Sequence, residues 1–305
     1  MVMQPGPAVG VVVPVFDTAP AFLDECMRSV LAQSVEVGVV LVDDASTDHG
    51  TVESLARWRA EGVTVITLTE NQGVASALNS GVRHLTTPYL LPVGSDDVVH
   101  PEYARAAQAV LDVSPGVSIV ASPLELFGGD QGVWQPRTVS SARDLLYSNC
   151  LPGVSVFRRA DWESVGGFRD GLRWGEDWDL WLRIVHAHGQ AVVLDQPLYR
   201  WRSHAAQLST RTNRAAQFER HLEHVQRNRG IYAEYLDAIM EDHWTAASTL
   251  ASFKRRYGRI NDLVNQVRHL TAGLSRPSWR RSSTTDRSNE ASPCGEPARS
   301  NFTPG

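Results

Sequence analysis

The sequence predicts an α/β fold: a doubly wound, mostly parallel sheet flanked by helices, with a helical extension after it. Three observations lead there. Short β-branched runs alternate with segments whose apolar residues recur at helical spacing, as buried parallel strands and their crossover helices do. The alternation persists to Ser122 and then breaks. From about residue 213 the strand signal is lost and only helical patterning remains.

Taken in order, "AVGVVVPVF" (8–16) is the first strand. "PAFLDECMRSVLAQ" (20–33) is a helix with Phe22, Leu23, Cys26, Val30 and Leu31 on one stripe and Pro20 near its start. "EVGVVLV" (36–42) is the second strand, and "STDHGTVESLARWRA" (46–60) a helix with Ser46, Thr47 or Asp48 as its cap. The third strand is "VTVITL" (63–68), the third helix "GVASALNSGVRHL" (73–85) and the fourth strand "PYLLPV" (88–93). "PEYARAAQAVLD" (101–112) opens with proline at the first helical position, and "VSIVAS" (117–122) is the fifth strand. Residues 123–150, rich in Gly, Pro and Gln, read as irregular. "GVSVFRR" (153–159) is strand-like, "DWDLWLRIVHAHG" (177–189) helical and "AVVLDQPLYRWR" (191–202) extended. The expected division is a domain over 1–210, a helical extension over 211–272 and a disordered, Ser-, Arg- and Pro-rich tail over 273–305.

Composition narrows the function. Net charge is -5, so no basic excess draws the chain onto nucleic acid. Cys26, Cys150 and Cys294 are too few and too scattered for a disulfide framework, which suits a reducing, cytoplasmic setting. No apolar run reaches the roughly 18 residues needed to span a bilayer, and the start lacks a basic leader. Peripheral attachment to the inner face of a membrane stays open, as does a homodimer through the helical extension.

Parallel sheets bind ligands beyond the carboxyl ends of their strands. Those ends carry Asp17 after the first strand, Asp43 and Asp44 after the second, Glu70, Asn71 and Gly73 after the third, and Gly94, Ser95, Asp96 and Asp97 after the fourth. Each cluster alone reads equally as helix caps; four on one edge point to a shared ligand site. Neither G-x-G-x-x-G nor G-x-x-x-x-G-K-[ST] is present, so a dinucleotide or P-loop site is excluded. An acid-lined edge without a glycine cradle holds phosphates through a divalent cation.

The stretches "VVVPVFDTAPAFLDECMRSVLAQ", "EVGVVLVDDASTDHG", "TENQGVASALNSGV", "LLPVGSDDVVHPEY", "FRRADWESVGGFRDGLRWGEDWDLWLRI" and "YRWRSH" resemble, in order and spacing, the family 2 glycosyltransferases, inverting enzymes of the GT-A fold. The resemblance covers roughly residues 8 to 210. It implies a sugar transferred from a nucleoside-diphosphate donor to an acceptor hydroxyl, with Mn²⁺ or Mg²⁺ stabilising the leaving diphosphate. It implies that Asp17, Asp43 and Asp44 bind base and ribose, in a pocket shaped by Pro14 and Val15. Asn71, Gly73, Asn79 and Ser95 complete the nucleotide set. The family's Asp-x-Asp metal motif falls on Gly94, Ser95 and Asp96, so Asp96 is the expected ligand and Gly94 stands where an acid is usual. Leu78 stands where an arginine is usual. Asp97 is either a supporting acid or a helix cap. His204 is implied near the metal, with Arg200 and Arg202 ranked below it as phosphate partners. Asp177 is implied as the general base with Glu176 beside it, Trp174 as an acceptor wall, and Gly167 as part of an acceptor-side turn. One carboxylate base plus one cation suffices for direct displacement. The competing readings are a non-catalytic nucleotide-sugar-binding protein and a nucleotidyltransferase.

Overall fold

The computed structural model describes residues 6–172, 174–204 and 214–252. Its elements follow the predicted alternation: β1 (Val9–Val15), α1 (Pro20–Leu31), β2 (Val37–Asp43), α2 (His49–Ala60), β3 (Thr64–Thr67), α3 (Val74–His84), β4 (Tyr89–Pro92), β5 (Val98–Val99), α4 (Tyr103–Val113) and β6 (Val117–Ala121). Then come β7 (Leu124–Gly128), β8 (Gly132–Trp134), β9 (Val156–Arg158), α5 (Arg159–Ser164), α6 (Glu176–His188), β10 (Gln190–Val193), β11 (Tyr199–Ser203), α7 (Arg214–Arg227) and α8 (Arg229–Glu234).

The main sheet has seven strands in the order β10-β6-β9-β4-β1-β2-β3. β1 is hydrophobic throughout because it lies in the middle; it pairs in parallel with β2 on one side and β4 on the other. Val9, Val11, Val13 and Val15 face α1, whose Leu23, Cys26, Met27 and Val30 enter the same core. Asp48 caps α2 by accepting from Thr51 N at 2.8 Å, which selects one of the three predicted caps. Pro101 does not open α4; the helix starts two residues later at Tyr103.

β9 is antiparallel to both neighbours, β4 and β6. Tyr89 faces Arg158 and Leu90 faces Phe157, so the chain before β9 emerges at the carboxyl edge of β4. Residues 149–155 therefore share an edge with Gly94–Asp97.

The irregular reading of 123–150 is corrected. β7 and β8 form a hairpin in a second, four-stranded sheet ordered β5-β11-β7-β8. The extended segment 191–202 is two strands in two sheets: β10 pairs with β6, and β11 with β5 and β7. In 123–150 glycine and proline dilute strands of only three to five residues, and periodicity cannot register them.

The chain divides into two compact units, one through Asn228 and one beginning at Arg229. α7 belongs to the first. The second holds α8 and further helical backbone over 236–252 among the described residues. The expected boundary at 210 and the tail from 273 lie outside the described residues.

Candidate active site

The acids at the strand ends are largely engaged with backbone amides. Asp17 sits at φ 46° just beyond β1. Its Oδ1 accepts from Thr47 N at 2.7 Å and Asp48 N at 2.8 Å, tying the β1 end to the turn before α2. The Asp48 amide leads the effects that lower its pKa, and the group stays exposed. Asp43 Oδ1 accepts from Ser46 N at 2.8 Å, a local bond three residues on that steadies the turn after β2. Asp44, 3% exposed, takes Gln72 N on one oxygen at 2.7 Å and Gly73 N on the other at 2.8 Å. It fastens the loop into α3, where Gly73 adopts φ 87° at the N-cap, a left-handed value glycine reaches without strain. Asn71 is exposed at that loop, Val15 is buried and Pro14 half-buried beneath.

Asn79 and Gly167 are brought together, away from the open edge. Asn79 is buried, donates to Phe168 O at 2.8 Å and accepts from Phe168 N at 3.0 Å, locking α3 to the turn after α5. Gly167 packs directly against Asn79 and the Trp162 ring. Leu78 is buried in the core. Ser95 bridges to Thr18 across the β1 and β4 ends at 2.8 Å.

The turn 94–97 is the centre of the site. Asp96 Oδ2 lies 2.8 Å from His204 Nε2, uniting the two expected metal-side groups. Asp97 is 3% exposed. Its Oδ1 accepts from Arg202 N at 2.8 Å and its Oδ2 from Tyr199 OH at 2.9 Å. Burial, and then the neighbouring Asp96, push its pKa well above the usual carboxylate range. Arg202 is no surface phosphate partner: it is 9% exposed, donates to Asp96 O at 2.6 Å and pairs with Glu25. Arg200 pairs with Glu125 at 3.4 Å.

Among the described residues no group of three or more His, Cys, Asp or Glu side chains is arranged to hold a metal ion. The donors that are present, one carboxylate and one imidazole, fit a divalent cation that takes its other ligands from phosphate oxygens and water.

On the same edge, α6 begins with Glu176 and Asp177 after Gly175 in a left-handed conformation. Asp177 Oδ2 accepts from Asn149 Nδ2 at 2.9 Å and Oδ1 from Trp178 N at 2.7 Å, so its carboxylate is fixed in orientation. Burial, and then the charge of Asp177, raise the Glu176 pKa to about 7. Behind them Asp179, 1% exposed, is ringed by Arg169, Arg183 and Asn228 at 2.7 to 2.9 Å.

Sequence reasoning missed three contributors. Asn149 lies in the stretch read as irregular, and no local signal marks it. Tyr199 sits in the quoted "YRWRSH", where strand alternation alone hides its reach to residues 94–97. α7 presents Arg220 over the Trp174 ring at 4.6 Å, and His221 and His224 stacked on Trp178 at 5.5 and 3.9 Å. That guanidinium and those rings cover the start of α6.

Comparison with known proteins agrees with this architecture. The model of the family described as "Glycosyl transferase family 2" matches residues 10–163, and that described as "N-terminal domain of galactosyltransferase" matches residues 138–209. An uncharacterized protein of Sinorhizobium fredii is 29% identical over 66% of this chain and 23% of its own length. The O-antigen biosynthesis protein RfbC of Myxococcus xanthus is 27% identical over 67% of this chain and 16% of its own. The chain thus spans under a quarter of these two relatives. An uncharacterized glycosyltransferase of Rickettsia prowazekii is 24% identical over 70% of each chain. Among solved structures, S. aureus TarS 1-349 in complex with UDP-GlcNAc superposes with TM-score 0.59 at 21% identity, over 75% of this chain and 66% of that one. The mannosyltransferase PcManGT from Pyrobaculum calidifontis in complex with GDP-Man and Mn²⁺ gives TM-score 0.59 at 22% identity, over 90% and 82%. These two share the fold. The family match runs from β1 through β9 into α5, half of the sequence and every strand of the main sheet but β10, and the chain belongs to glycosyl transferase family 2.

Proposed function

We propose that the chain transfers a sugar from a nucleoside-diphosphate donor to an acceptor hydroxyl by direct displacement with inversion, Asp177 acting as general base. The observation that carries the reading is the pairing of two fixed carboxylates on one sheet edge: Asp96 with His204 at 2.8 Å, and Asp177 oriented by Asn149 at 2.9 Å. Support for a nucleotide-sugar donor comes from the fold neighbours bound to UDP-GlcNAc and GDP-Man.

In this reading the exposed Asp17 and Asn71 and the bridging Ser95 meet the nucleotide over the floor formed by Pro14 and Val15. Asp43, Asp44, Gly73 and Asn79 fix the loops that carry them. Asp96 and His204 would hold Mn²⁺ or Mg²⁺; once bound, the cation neutralises the charge developing on the departing diphosphate. Asp177 accepts the acceptor hydroxyl's proton as the new bond forms to the sugar and the bond to the diphosphate breaks. Asn149 keeps Asp177 Oδ2 turned to that proton. Trp174 offers an apolar wall to the acceptor ring, while Gly167, packed on Asn79 and Trp162, holds the turn after α5. With a cation held by Asp96 and His204, a second, protonated carboxyl beside Asp177 would not be needed.

The test is turnover with UDP-, GDP- and dTDP-sugars, preceded by a thermal-shift screen of the same donors with Mn²⁺. Asp177→Asn is expected to lower kcat by about 10²- to 10⁴-fold with donor affinity kept. Donor binding with neither transfer nor hydrolysis in the wild type returns the non-catalytic binding reading, which the glycine at 94 favours.

A further inference from the structure

Position 94 is where the family resemblance expects a carboxylate, and the structure shows what fills its place. A Cβ on Gly94 would lie 2.5 Å from Asp97 Oδ2 and 3.2 Å from both Asp97 Cγ and Asp96 Oδ1, so its main clash is with Asp97 and it also crowds the Asp96 carboxylate. The Asp97 carboxylate has folded back into that volume. Tyr199 OH holds it there, donating to Oδ2 at 2.9 Å while accepting from Gly94 N at 3.0 Å. The Arg202 amide takes the other oxygen. Arg202 then reaches over the turn. Its Nε donates to Asp96 O at 2.6 Å and its Nη2 to Glu25 Oε2 at 2.5 Å. The Phe22 and Phe127 rings lie 4.2 and 4.3 Å from the guanidinium carbon. Phe22 also meets the His204 ring, centroid to centroid at 5.6 Å. Asp96 is thus gripped at its carbonyl by Arg202 and at its carboxylate by His204, both from the end of β11.

We infer that Arg202 is a positioning residue for the Asp96–His204 pair, working against an Asp97 carboxylate that Tyr199 seats in the space a side chain at 94 would need. The inference rests on the cation role proposed for that pair. Only a planar guanidinium can stack on two rings and send donors in two directions at once; a lysine ammonium cannot. The volume below position 94 accepts one carboxylate, supplied from 94 or from 97 but not from both.

The experiment is a Mn²⁺ titration of the full chain followed by the electron paramagnetic resonance of free Mn²⁺, with UDP and separately with GDP present. Asp96→Ala should lose Mn²⁺ uptake. Arg202→Lys should weaken it about 10- to 100-fold, as loss of a supporting contact does. Tyr199→Phe keeps the shape of the buried ring and carries the test should Arg202→Lys not fold; it should also weaken Mn²⁺. Gly94→Asp alone should weaken uptake, and adding Asp97→Gly should restore most of it. If Asp96→Ala loses Mn²⁺ while Arg202→Lys and Tyr199→Phe bind as the wild type does, the positioning role is overturned and the proposed transferase reading stands. If Asp96→Ala binds Mn²⁺ unchanged, the pair is no cation site, and the cation role and the positioning role fall together, leaving sugar transfer to its own turnover test.

Discussion

Glu176 and His224 titrate in opposite senses within one part of the molecule. Burial holds Glu176 protonated up to about 7, from an ordinary value of 4.5. Between those values the folded chain keeps a proton that the unfolded chain has lost, so stability falls as pH rises. Burial lowers His224 to about 4 from 6.5. There the unfolded chain holds the extra proton, so stability rises with pH. The two slopes, about 1.4 kcal/mol per unit each, oppose one another, and Asp97, also raised, adds to the fall while His221, also lowered, adds to the rise. Relative to the wild type between about pH 4.5 and 6.5, the melting temperature of Glu176→Gln should therefore tilt upward with pH and that of His224→Phe downward, by several degrees in each case. Melts across that range in one buffer series check both. Residue identity alone could not have assigned these roles. Asp44, Asn79 and Gly167 have the types and spacing of ligand-contacting groups. What decides is which amide lies across space: Gln72 and Gly73 for Asp44, Phe168 for Asn79. That Asp96 and His204 would meet could be expected from the family resemblance alone, and the structure does bring the two side chains together at 2.8 Å.

α6 owes its position to the charges at its start. Asp179 accepts from Arg183 one turn on, and Arg183 in turn donates to Val165 O and Gly167 O, both at 2.7 Å. Arg169 and Asn228 close the ring, joining α6 to the turn after α5 and to the end of α7. Asp179→Ala would leave two guanidinium groups facing a void, and should cost about 3–5 kcal/mol of stability. Asp179→Asn, which keeps shape and part of the hydrogen bonding, should cost less. Chemical denaturation of both variants measures the difference. Periodicity found α6 within a residue of its true start, since its stripe of Leu180, Trp181, Ile184 and Val185 is long and regular. The second sheet was not legible, because its strands are short and come from three separate parts of the chain, β5, the β7–β8 hairpin and β11. The docking of α7 was hidden for another reason: stacking of His221 and His224 on Trp178 is a tertiary contact that no local pattern encodes.

At the scale of the whole molecule, the α/β order and the acid-bearing sheet edge were readable in advance, since every β–α connection repeats one rule. Where α7 belongs was not readable. It lies in the unit that ends at Asn228. A chain ending at Asn228 should unfold cooperatively with a melting temperature within a few degrees of the full chain. One ending at His204 should melt markedly lower, having bared Trp174 and Trp178. Calorimetry of the two truncations decides. The reversed strand β9 has a further consequence, in the order of assembly. β4 and β6 never pair with each other; each hydrogen-bonds only to β9 on its inner side. On the ribosome both edges are synthesised well before Arg158 and stay open until the late strand slots between them. The half-sheet β4-β1-β2-β3 and the strand β6 must therefore wait for one three-residue wedge, and β10 is made only after it. Pulse-labelling hydrogen exchange during refolding should find the amides of Val156–Arg158 protected after those of β1 and β2, and slowing that one step should lengthen the life of an edge-exposed, aggregation-prone intermediate.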